Sequence, residues 1–284
     1  MILKWAGCFD PCLPEDKRVI TRRVGMTAVF AGLCVMTLPA RSVVAVDAQR
    51  RWTGTFAEGF EDVDTVEQLF QPDVARWTGI RLRPRNGRNR LEISSRRAHR
   101  GRHALRCLAA ATTGSAVSTA GLEKGVWRFA EGETIELSEW LYLVGHTHVP
   151  GFAMSAIEMP MPGGGWGGLE IIVTDHNELA IERRMLGLPM ICQPTKSSVD
   201  FPRNRWVQIR LKARLTPQEH GSVELWQNGR KLIDVDHVAT APQQAQSRPE
   251  ETAETSSRIA CGITTASSQT DAELYLDDVT IARE

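Results

Sequence analysis

Aromatic and charged side chains recur at every second position in one segment of the chain. Within Thr134–Val144, Trp140 and Tyr142 alternate with leucines, and Glu136 and Ser138 continue the same series. Successive side chains of a β-strand point to opposite faces of a sheet, so these four side chains share one face. A flat aromatic ring with a polar edge is suited to stacking on a sugar ring. The spacing therefore favours a face that contacts carbohydrate.

Two later segments repeat this pattern with basic and amide side chains added. The alternating residues are Trp206, Gln208, Arg210, Lys212 and Arg214 in one segment, and Glu224, Trp226 and Asn228 in the other. Guanidinium and ammonium groups bind carboxylates, and amides hydrogen-bond hydroxyls. The alternative is an ordinary outer face whose tryptophans are covered by loops.

Three carboxylates form a second candidate group. Glu158, Glu170 and Glu182 fall in three different predicted strands, so that two of them can meet. Two carboxyl groups about 5–10 Å apart are the requirement for glycoside hydrolysis. Charged residues on sheet faces are more often simply solvated. His146 and His148 end another predicted strand, but no third metal ligand is evident beside them, which favours a plain loop pair.

The elements that must position these side chains are short strands. From Trp52 onward, polar and apolar residues alternate in segments separated by turn residues, and only Thr65–Gln71 suggests a helical turn. The pattern predicts an all-β protein, a two-sheet antiparallel β-sandwich of the jelly-roll type formed by residues 49–284 as one domain. The predicted strands are Gly54–Phe60, Arg76–Leu82, Arg90–Ser95, His103–Ala110, Thr134–Val144, Phe152–Glu158, Leu169–Thr174, Glu178–Arg184, Trp206–Arg214, Ser222–Gln227, Arg258–Thr264 and Ala272–Ile281.

Composition excludes some classes of protein. Apolar residues make up 42% of the chain, which is enough for a sizeable core. The 34 basic residues balance the 34 acidic ones, so nothing indicates a nucleic-acid-binding protein. Downstream of the first 48 residues the cysteines are Cys107, Cys192 and Cys261, an odd number that permits one disulfide bond at most or three buried thiols.

The first 48 residues have the order of regions found in a signal peptide. Basic residues in Lys17–Arg23 precede an apolar run, Gly25–Leu38, that is too short to span a bilayer comfortably. Small residues in Val43–Ala48 then offer cleavage sites. We therefore expect a secreted or periplasmic protein with no stable membrane insertion after the leader is removed; a twin-arginine export route is a weaker alternative.

Three stretches carry a resemblance to a known superfamily. They read Trp206-Val-Gln-Ile-Arg-Leu-Lys212, Thr216-Pro-Gln-Glu-His-Gly221 and Val223-Glu-Leu-Trp-Gln-Asn-Gly229. This run resembles adjacent strands of concanavalin A-like lectins and glucanases, and it is most similar to polysaccharide lyases of the heparin lyase I type. Gly59–Glu61, His99–Arg106 and Leu274–Val279 fit the same superfamily, so the resemblance covers most of residues 52–284.

The resemblance implies one concave sheet that holds a glycan chain. It places Phe152–Glu158, Leu169–Thr174 and Glu178–Arg184 in that sheet beside the aromatic strands, and thereby joins all the candidate residues in one groove. The implied substrate-binding residues are Trp140, Glu182, Arg184, Gln208, Lys212, Trp226 and Asn228.

The activity that the resemblance implies is β-elimination on a uronic-acid polysaccharide. That reaction needs a base, an acid and a group that neutralises the substrate carboxylate. Tyr142, Arg210 and Glu158 are the predicted catalytic residues, with Tyr142 as proton carrier. The candidates for the group that neutralises the carboxylate are Arg210, Lys212, Arg184 and Gln208. Alginate-type jelly-roll lyases carry a Gln-x-His on an inner strand, whereas this chain has no His in the corresponding Ser155–Glu158. The alternative is a non-catalytic, lectin-like domain of the same fold, and a glycoside hydrolase is a weaker one.

The resemblance also implies a structural calcium ion. Sandwiches of this superfamily often use calcium to tie a Glu near the first strand to an Asp in the last. Glu61, Asp277 and Asp278 match those positions, as does Asp62, and carboxylate oxygens are ligands that calcium prefers. The alternative is that Asp277 and Asp278 blunt the edge of a sheet.

Overall fold

The computed structural model describes residues 54–70, 77–84, 87–113, 116–127, 130–148, 151–161, 164–243, 257–267 and 269–284. The predicted signal peptide, within residues 1–48, lies outside the described residues. In the described part of the chain, no helix has the length and apolar character needed to cross a membrane.

Antiparallel strands account for almost all the regular structure. A 3-10 helix at Val66–Phe70 corresponds to the helical turn expected there. The strands are β1 (Thr55–Glu58), β2 (Gly79–Arg83), β3 (Arg90–Ser94), β4 (Ala104–Ala109), β5 (Ser118–Trp127), β6 (Thr134–Leu143), β7 (Phe152–Pro160), β8 (Trp166–Val173), β9 (Leu179–Arg184), β10 (Trp206–Arg214), β11 (Gly221–Gln227), β12 (Arg230–Val238), β13 (Ser257–Ala266) and β14 (Ala272–Arg283).

These strands form two sheets. The eight-stranded sheet has the order β12-β11-β10-β6-β14-β4-β3, with β1 paired to β14. The six-stranded sheet has the order β2-β5-β13-β7-β8-β9. The sheets pack face to face as a sandwich, which confirms the predicted all-β fold.

Alternation along the strands builds the core between the sheets. In β6 the buried row contains Ile135, Leu137, Leu141 and Leu143, and the outer row contains Trp140 and Tyr142 as the sequence predicts. The inner rows of both sheets join in one apolar cluster. Each strand therefore keeps one row of side chains on the outside of the sandwich, and these outer rows carry the candidate functional groups.

Two strands, β5 and β12, were not predicted from the sequence. β5 contains Gly121 and Gly125, which interrupt the alternation that marks a strand. Gly121 is needed because a Cβ there would lie 2.5 Å from the Cys261 carbonyl oxygen of β13. β12 was missed although Ile233 and Val235 alternate with Asp234 and Asp236, because aspartate is depleted in strands.

Two thiols are buried, but no disulfide joins them. Cys107 and Cys261 lie in the core, Cys192 is half-buried, and no disulfide bond links any two of these three described cysteines. Burial raises the pKa of Cys107 and that of Cys261 well above the usual range of a thiol. Both thiols therefore stay protonated and unreactive at neutral pH.

One carboxyl group interrupts the apolar row of β6. Glu139 is fully buried, and the Ser155 hydroxyl donates a hydrogen bond to its Oε2 at 3.0 Å. Burial raises the pKa of Glu139 to about 7, although hydrogen bonds from Ser155 and Cys261 lower it in part. Ser155 reaches Glu139 from an irregular position in β7, where its φ is 50°.

Glu139→Gln is expected to stabilise the protein at pH 8 and to have little effect at pH 4. The folded-state pKa of Glu139 lies above its unfolded value, so the stability that its protonated form contributes is present at low pH and is lost as the pH rises through 7. The loss is on the order of 3 kcal/mol. Urea unfolding at both pH values measures it, with Glu136→Gln on the outer face of β6 as the control. An equal dependence of stability on pH in wild type and Glu139→Gln would contradict this expectation.

Candidate functional site

Two rows of side chains cross the outer face of the six-stranded sheet. Residues directly opposite each other on paired strands point to the same face. The register places Glu123, Ala260, Ala156, Glu170 and Glu182 in one row, each opposite the next. The neighbouring row contains Arg258, Glu158, Gly168 and Arg184. We call these two rows, together with Arg81 and Trp166, the charged face.

Glu158 is at the centre of the charged face. Its side chain is only 2% exposed, yet its carboxylate lies 2.9 Å from Arg81 Nη1, 2.6 Å from Arg258 Nε and 3.4 Å from Arg184 Nη1. Burial alone would raise the pKa of Glu158, but Arg81 and Arg258 outweigh burial and hold that pKa below its usual value. Glu158 is therefore an ionised group that organises the arginines around it.

A second ion pair extends this network toward β5. Arg258 Nη1 lies 3.0 Å from Glu123 Oε1, and Arg81 Nε lies 4.0 Å from the same oxygen. Glu123 and Glu158 therefore alternate with Arg81 and Arg258 around a closed ring of four charges. Such a ring fixes the side chains before any ligand arrives.

Two alanines lie between charged groups in the longer row. Ala260 and Ala156 separate Glu123 from Glu170, and each alanine is only 1% exposed. Neighbouring strands lie about 4.8 Å apart, so the backbones at Glu123 and Glu170 are about 14 Å apart. At the start of β8, the half-buried Trp166 ring lies 3.7 Å from the Arg258 guanidinium. The charged face thus combines an alanine floor with charged groups and an aromatic ring.

Two carboxyl groups are direct neighbours on this face. Glu170 of β8 lies opposite Glu182 of β9. The Thr265 hydroxyl donates a hydrogen bond to Glu170 Oε1 at 3.3 Å, and Arg184 Nη1 lies 3.7 Å from the same oxygen. Burial, followed by the charge of Glu170, raises the pKa of Glu182, and Arg184 opposes the shift. The two carboxyl groups therefore differ in environment although they are adjacent.

The aromatic residues of the eight-stranded sheet are largely covered. The His99 ring stacks on Trp140 with 3.6 Å between the ring centroids, and the Arg97 guanidinium lies 4.4 Å from the Tyr142 ring. Trp226 is buried beneath Arg210, whose guanidinium lies 3.8 Å from its ring. The stacking of His99, which lies between β3 and β4, on Trp140 agrees with the alternative in which loops cover the tryptophans. Trp226 is instead covered by a side chain of the neighbouring strand β10.

The polar residues predicted beside them have local partners. Asn228 Oδ1 accepts a hydrogen bond from the Gln208 backbone N–H at 2.9 Å, and Lys212 Nζ lies 2.9 Å from a Glu284 carboxylate oxygen. These contacts tie β10 to the β11–β12 turn and to the end of β14.

The predicted single groove is wrong. Glu158, Glu182 and Arg184 lie on the six-stranded sheet, whereas Trp140, Tyr142, Gln208, Arg210, Lys212, Trp226 and Asn228 lie on the eight-stranded sheet. The outer faces of the two sheets point away from each other across the core. The two groups of residues are separated because the chain crosses from the eight-stranded sheet to the six-stranded sheet between β6 and β7.

Sequence reasoning missed several members of the charged face. Their signal was the same alternation, in Arg258-Ile259-Ala260 of β13 and in Arg81 between two apolar residues of β2. Glu123 was missed together with the whole of β5, and Trp166 precedes the predicted strand Leu169–Thr174, although β8 begins at Trp166.

The predicted calcium ligands hold a loop through backbone contacts. The Glu61 carboxylate accepts hydrogen bonds from the Arg102 and His103 N–H groups at 2.9 Å each, and Asp277 Oδ2 accepts one from the His99 N–H at 2.8 Å. Asp278 Oδ2 lies 2.7 Å from His99 Nδ1. No group of three or more His, Cys, Asp or Glu residues that could hold a metal occurs among the described residues. Calcium binding here stays a prediction.

Solved structures of polysaccharide lyases share this fold. The chain matches an endo-β-1,4-glucuronan lyase from the fungus Trichoderma reesei at 16% identity, with a TM-score of 0.56, over 72% of this chain and 90% of that one. It matches the cellulose-induced protein Cip1 at 16% identity, with a TM-score of 0.53, over 80% and 96% of the two chains. A marine PL-14 alginate lyase from Aplysia kurodai matches at 10% identity, with a TM-score of 0.53, over 82% and 99%. The chain has their fold.

Comparison of sequences does not assign the chain to a family. No protein-family model matches the chain, and no curated protein sequence matches it. The identities to the solved structures are low, so the likeness concerns the fold alone. The narrower resemblance to heparin lyase I and the concanavalin A-like superfamily stays a prediction.

Glu158→Gln is expected to destabilise the fold. The substitution removes the negative charge shared by Arg81, Arg184 and Arg258. Arg81 and Arg258, both largely enclosed, then keep only the more distant or single contact with Glu123. The cost is on the order of 3 kcal/mol in the free energy of unfolding, measured by urea unfolding at pH 7. Glu92→Gln is the control, because Glu92 pairs with Arg90 and Arg106 at a more exposed position and should cost much less. An equal loss in both variants would contradict the central role of Glu158.

Proposed function

We propose that this protein binds an acidic polysaccharide across the charged face and cleaves it as a polysaccharide lyase, by β-elimination beside a uronic-acid carboxylate. Two findings support the proposal: the fold shared with glucuronan and alginate lyases, and the arginines of the charged face. Export through the predicted signal peptide would bring the protein to such a polymer outside the cell or in the periplasm.

The exposure of Arg184 is the observation that carries the proposal. About 34% of its side chain is exposed, against 10% for Arg81 and 16% for Arg258. Arg184 is therefore the guanidinium of this group that a substrate carboxylate can reach. Arginine binds carboxylates through two parallel hydrogen bonds, which fixes the orientation of the sugar as well as its position.

Neutralising the substrate carboxylate is the main electrostatic requirement of the reaction. When a base removes the proton from C5, negative charge develops on the carboxylate attached to that carbon. A cation fixed in advance stabilises this charge more than it stabilises the ground state. Trp166 offers a half-buried ring beside the arginines, where an adjacent sugar of the same chain can stack.

Tyr142 does not belong to this face. None of the six strands β2, β5, β7, β8, β9 and β13 carries a Tyr or a His. Tyr142 and Arg210, which the sequence analysis made catalytic partners of Glu158, lie on the opposite sheet. The proton carrier of the proposed reaction is therefore a different residue.

Carbohydrate binding without cleavage is the second candidate function. It is favoured by the aromatic row on the eight-stranded sheet, where Tyr142 lies between Trp206 and Tyr275 at ring-centroid distances of 5.8 and 6.1 Å. A ligand there would have to use the half-buried Trp206 and Trp140 or displace Arg97 and His99.

The lyase proposal predicts that glucuronan or alginate treated with the protein acquires the ultraviolet absorbance of an unsaturated uronate. Arg184→Ala is expected to lower kcat/KM by about 100-fold, because it removes the reachable cation. Arg210→Ala, on the opposite sheet, should keep nearly full activity. Full activity in Arg184→Ala with loss in Arg210→Ala would place the site on the other face. If the protein binds the polymer but the absorbance does not change, the result would contradict the lyase proposal and support carbohydrate binding without cleavage.

A further inference from the structure

We propose, on the basis of the proposed lyase function, that Glu182 is the catalytic residue that carries the proton during elimination, and that Glu170 is a positioning residue that strengthens Glu182 as a base. This assignment replaces Tyr142 in that role. It rests on the direct pairing of the two glutamates, on their different surroundings and on the position of Glu182 beside Arg184.

The pairing of these glutamates has a cost that the fold must offset. Like charges directly opposite each other on paired strands destabilise a sheet. Glu170 is buried and has two stabilising partners, the Thr265 hydroxyl at 3.3 Å and Arg184 at 3.7 Å. Glu182 is the more exposed of the two, so it is the carboxyl group of the pair that a substrate can reach.

Few charged groups surround Glu182. Glu170 faces it from β8, and Arg184 lies two residues along the same strand. On the other side, β9 is bridged by Ile191, and the segment 185–193 there carries no charged side chain. Burial and Glu170 raise the pKa of Glu182 against the opposing effect of Arg184. Pairs of titratable groups whose environments separate their pKa values are typical of acid–base catalysis.

Arg184 sets the position of the substrate relative to Glu182. Residues i and i+2 of a strand point to the same face about 7 Å apart. A uronate carboxylate that is bound by Arg184 brings C5, the carbon bonded to that carboxylate, toward the space over Glu182. The acidic proton of the substrate is the hydrogen on this carbon.

The proposed step is balanced without any other reactant. The Glu182 carboxylate takes the proton from C5, and the electrons of that C–H bond form the C4–C5 double bond. The bond between C4 and the glycosidic oxygen breaks, and its electron pair stays on the oxygen. The protonated Glu182 then gives the same proton to this oxygen, which returns Glu182 to its starting state. Water is not consumed.

The test uses the whole protein with glucuronan and alginate as substrates, and compares wild type, Glu182→Gln and Glu170→Gln. Glu182→Gln should lower kcat by about 100-fold or more, as expected for loss of a general base, with KM changed little. Glu170→Gln should retain activity but shift the acid limb of the kcat profile to lower pH. The direction follows because the base must be ionised, and removing Glu170 lowers the pKa of Glu182.

The possible outcomes separate this inference from the proposed function. Elimination by wild type together with full activity in Glu182→Gln would overturn the role of Glu182 and leave the lyase intact. An unchanged acid limb in Glu170→Gln would overturn the positioning role. If wild type produces new reducing ends without the double bond, the reaction is glycoside hydrolysis. If wild type cleaves neither polymer, the protein is not a lyase acting on them. Either result overturns both proposals. Glu178→Gln, just before β9, is the matched control and should behave as wild type after its fold is verified by circular dichroism.

Discussion

The charge of Glu158 is held by three arginines, and the outer face of the six-stranded sheet is organised around that contact. A carboxylate that is 2% exposed pays a large desolvation cost unless opposite charges approach it closely. Arg81 and Arg258 supply that compensation from neighbouring strands, and both are themselves largely enclosed. Arg184, with 34% of its side chain exposed, is the most accessible of the three partners. The network therefore produces a fixed positive group at the edge of a rigid surface, which is what recognition of a carboxylate requires.

Glu139 and Glu158 show two different solutions for a buried carboxyl group. Glu139 lies between the sheets among apolar side chains, so burial raises its pKa and the neutral form is favoured. Glu158 lies on the outer side of the six-stranded sheet among arginines, so its pKa falls and the carboxylate is favoured. The residues differ in the sheet face they occupy rather than in their own chemistry. Because Glu139 faces the core, its ionisation lowers the stability of the fold at high pH. Because Glu158 faces outward, it organises a charged surface.

The sequence allowed the class of fold and the inward or outward direction of many side chains to be predicted, because both follow from local alternation. The predicted strands Trp206–Arg214 and Thr134–Val144 correspond to β10 and β6, each with one core row and one outer row as expected. Alternation does not tell which of two sheets a strand joins, since strand order depends on contacts between distant parts of the chain. β7, β8 and β9 were therefore joined to the wrong face. The ring of Glu158, Arg81, Glu123 and Arg258 could not be predicted either, because its four members come from four strands and one of these, β5, was hidden by its glycines.

The proposed function depends most on which face of the sandwich holds the polysaccharide. Amide NMR spectra of Glu182→Gln, titrated with a glucuronan oligosaccharide, test this directly because the bound chain is not expected to be cleaved. We expect the chemical-shift changes to concentrate on the six-stranded sheet, at Ala156–Glu158, Gly168–Glu170 and Glu182–Arg184. Changes confined to the eight-stranded sheet, at Trp140–Tyr142 and Trp206–Arg210, would show that the polysaccharide binds the opposite face.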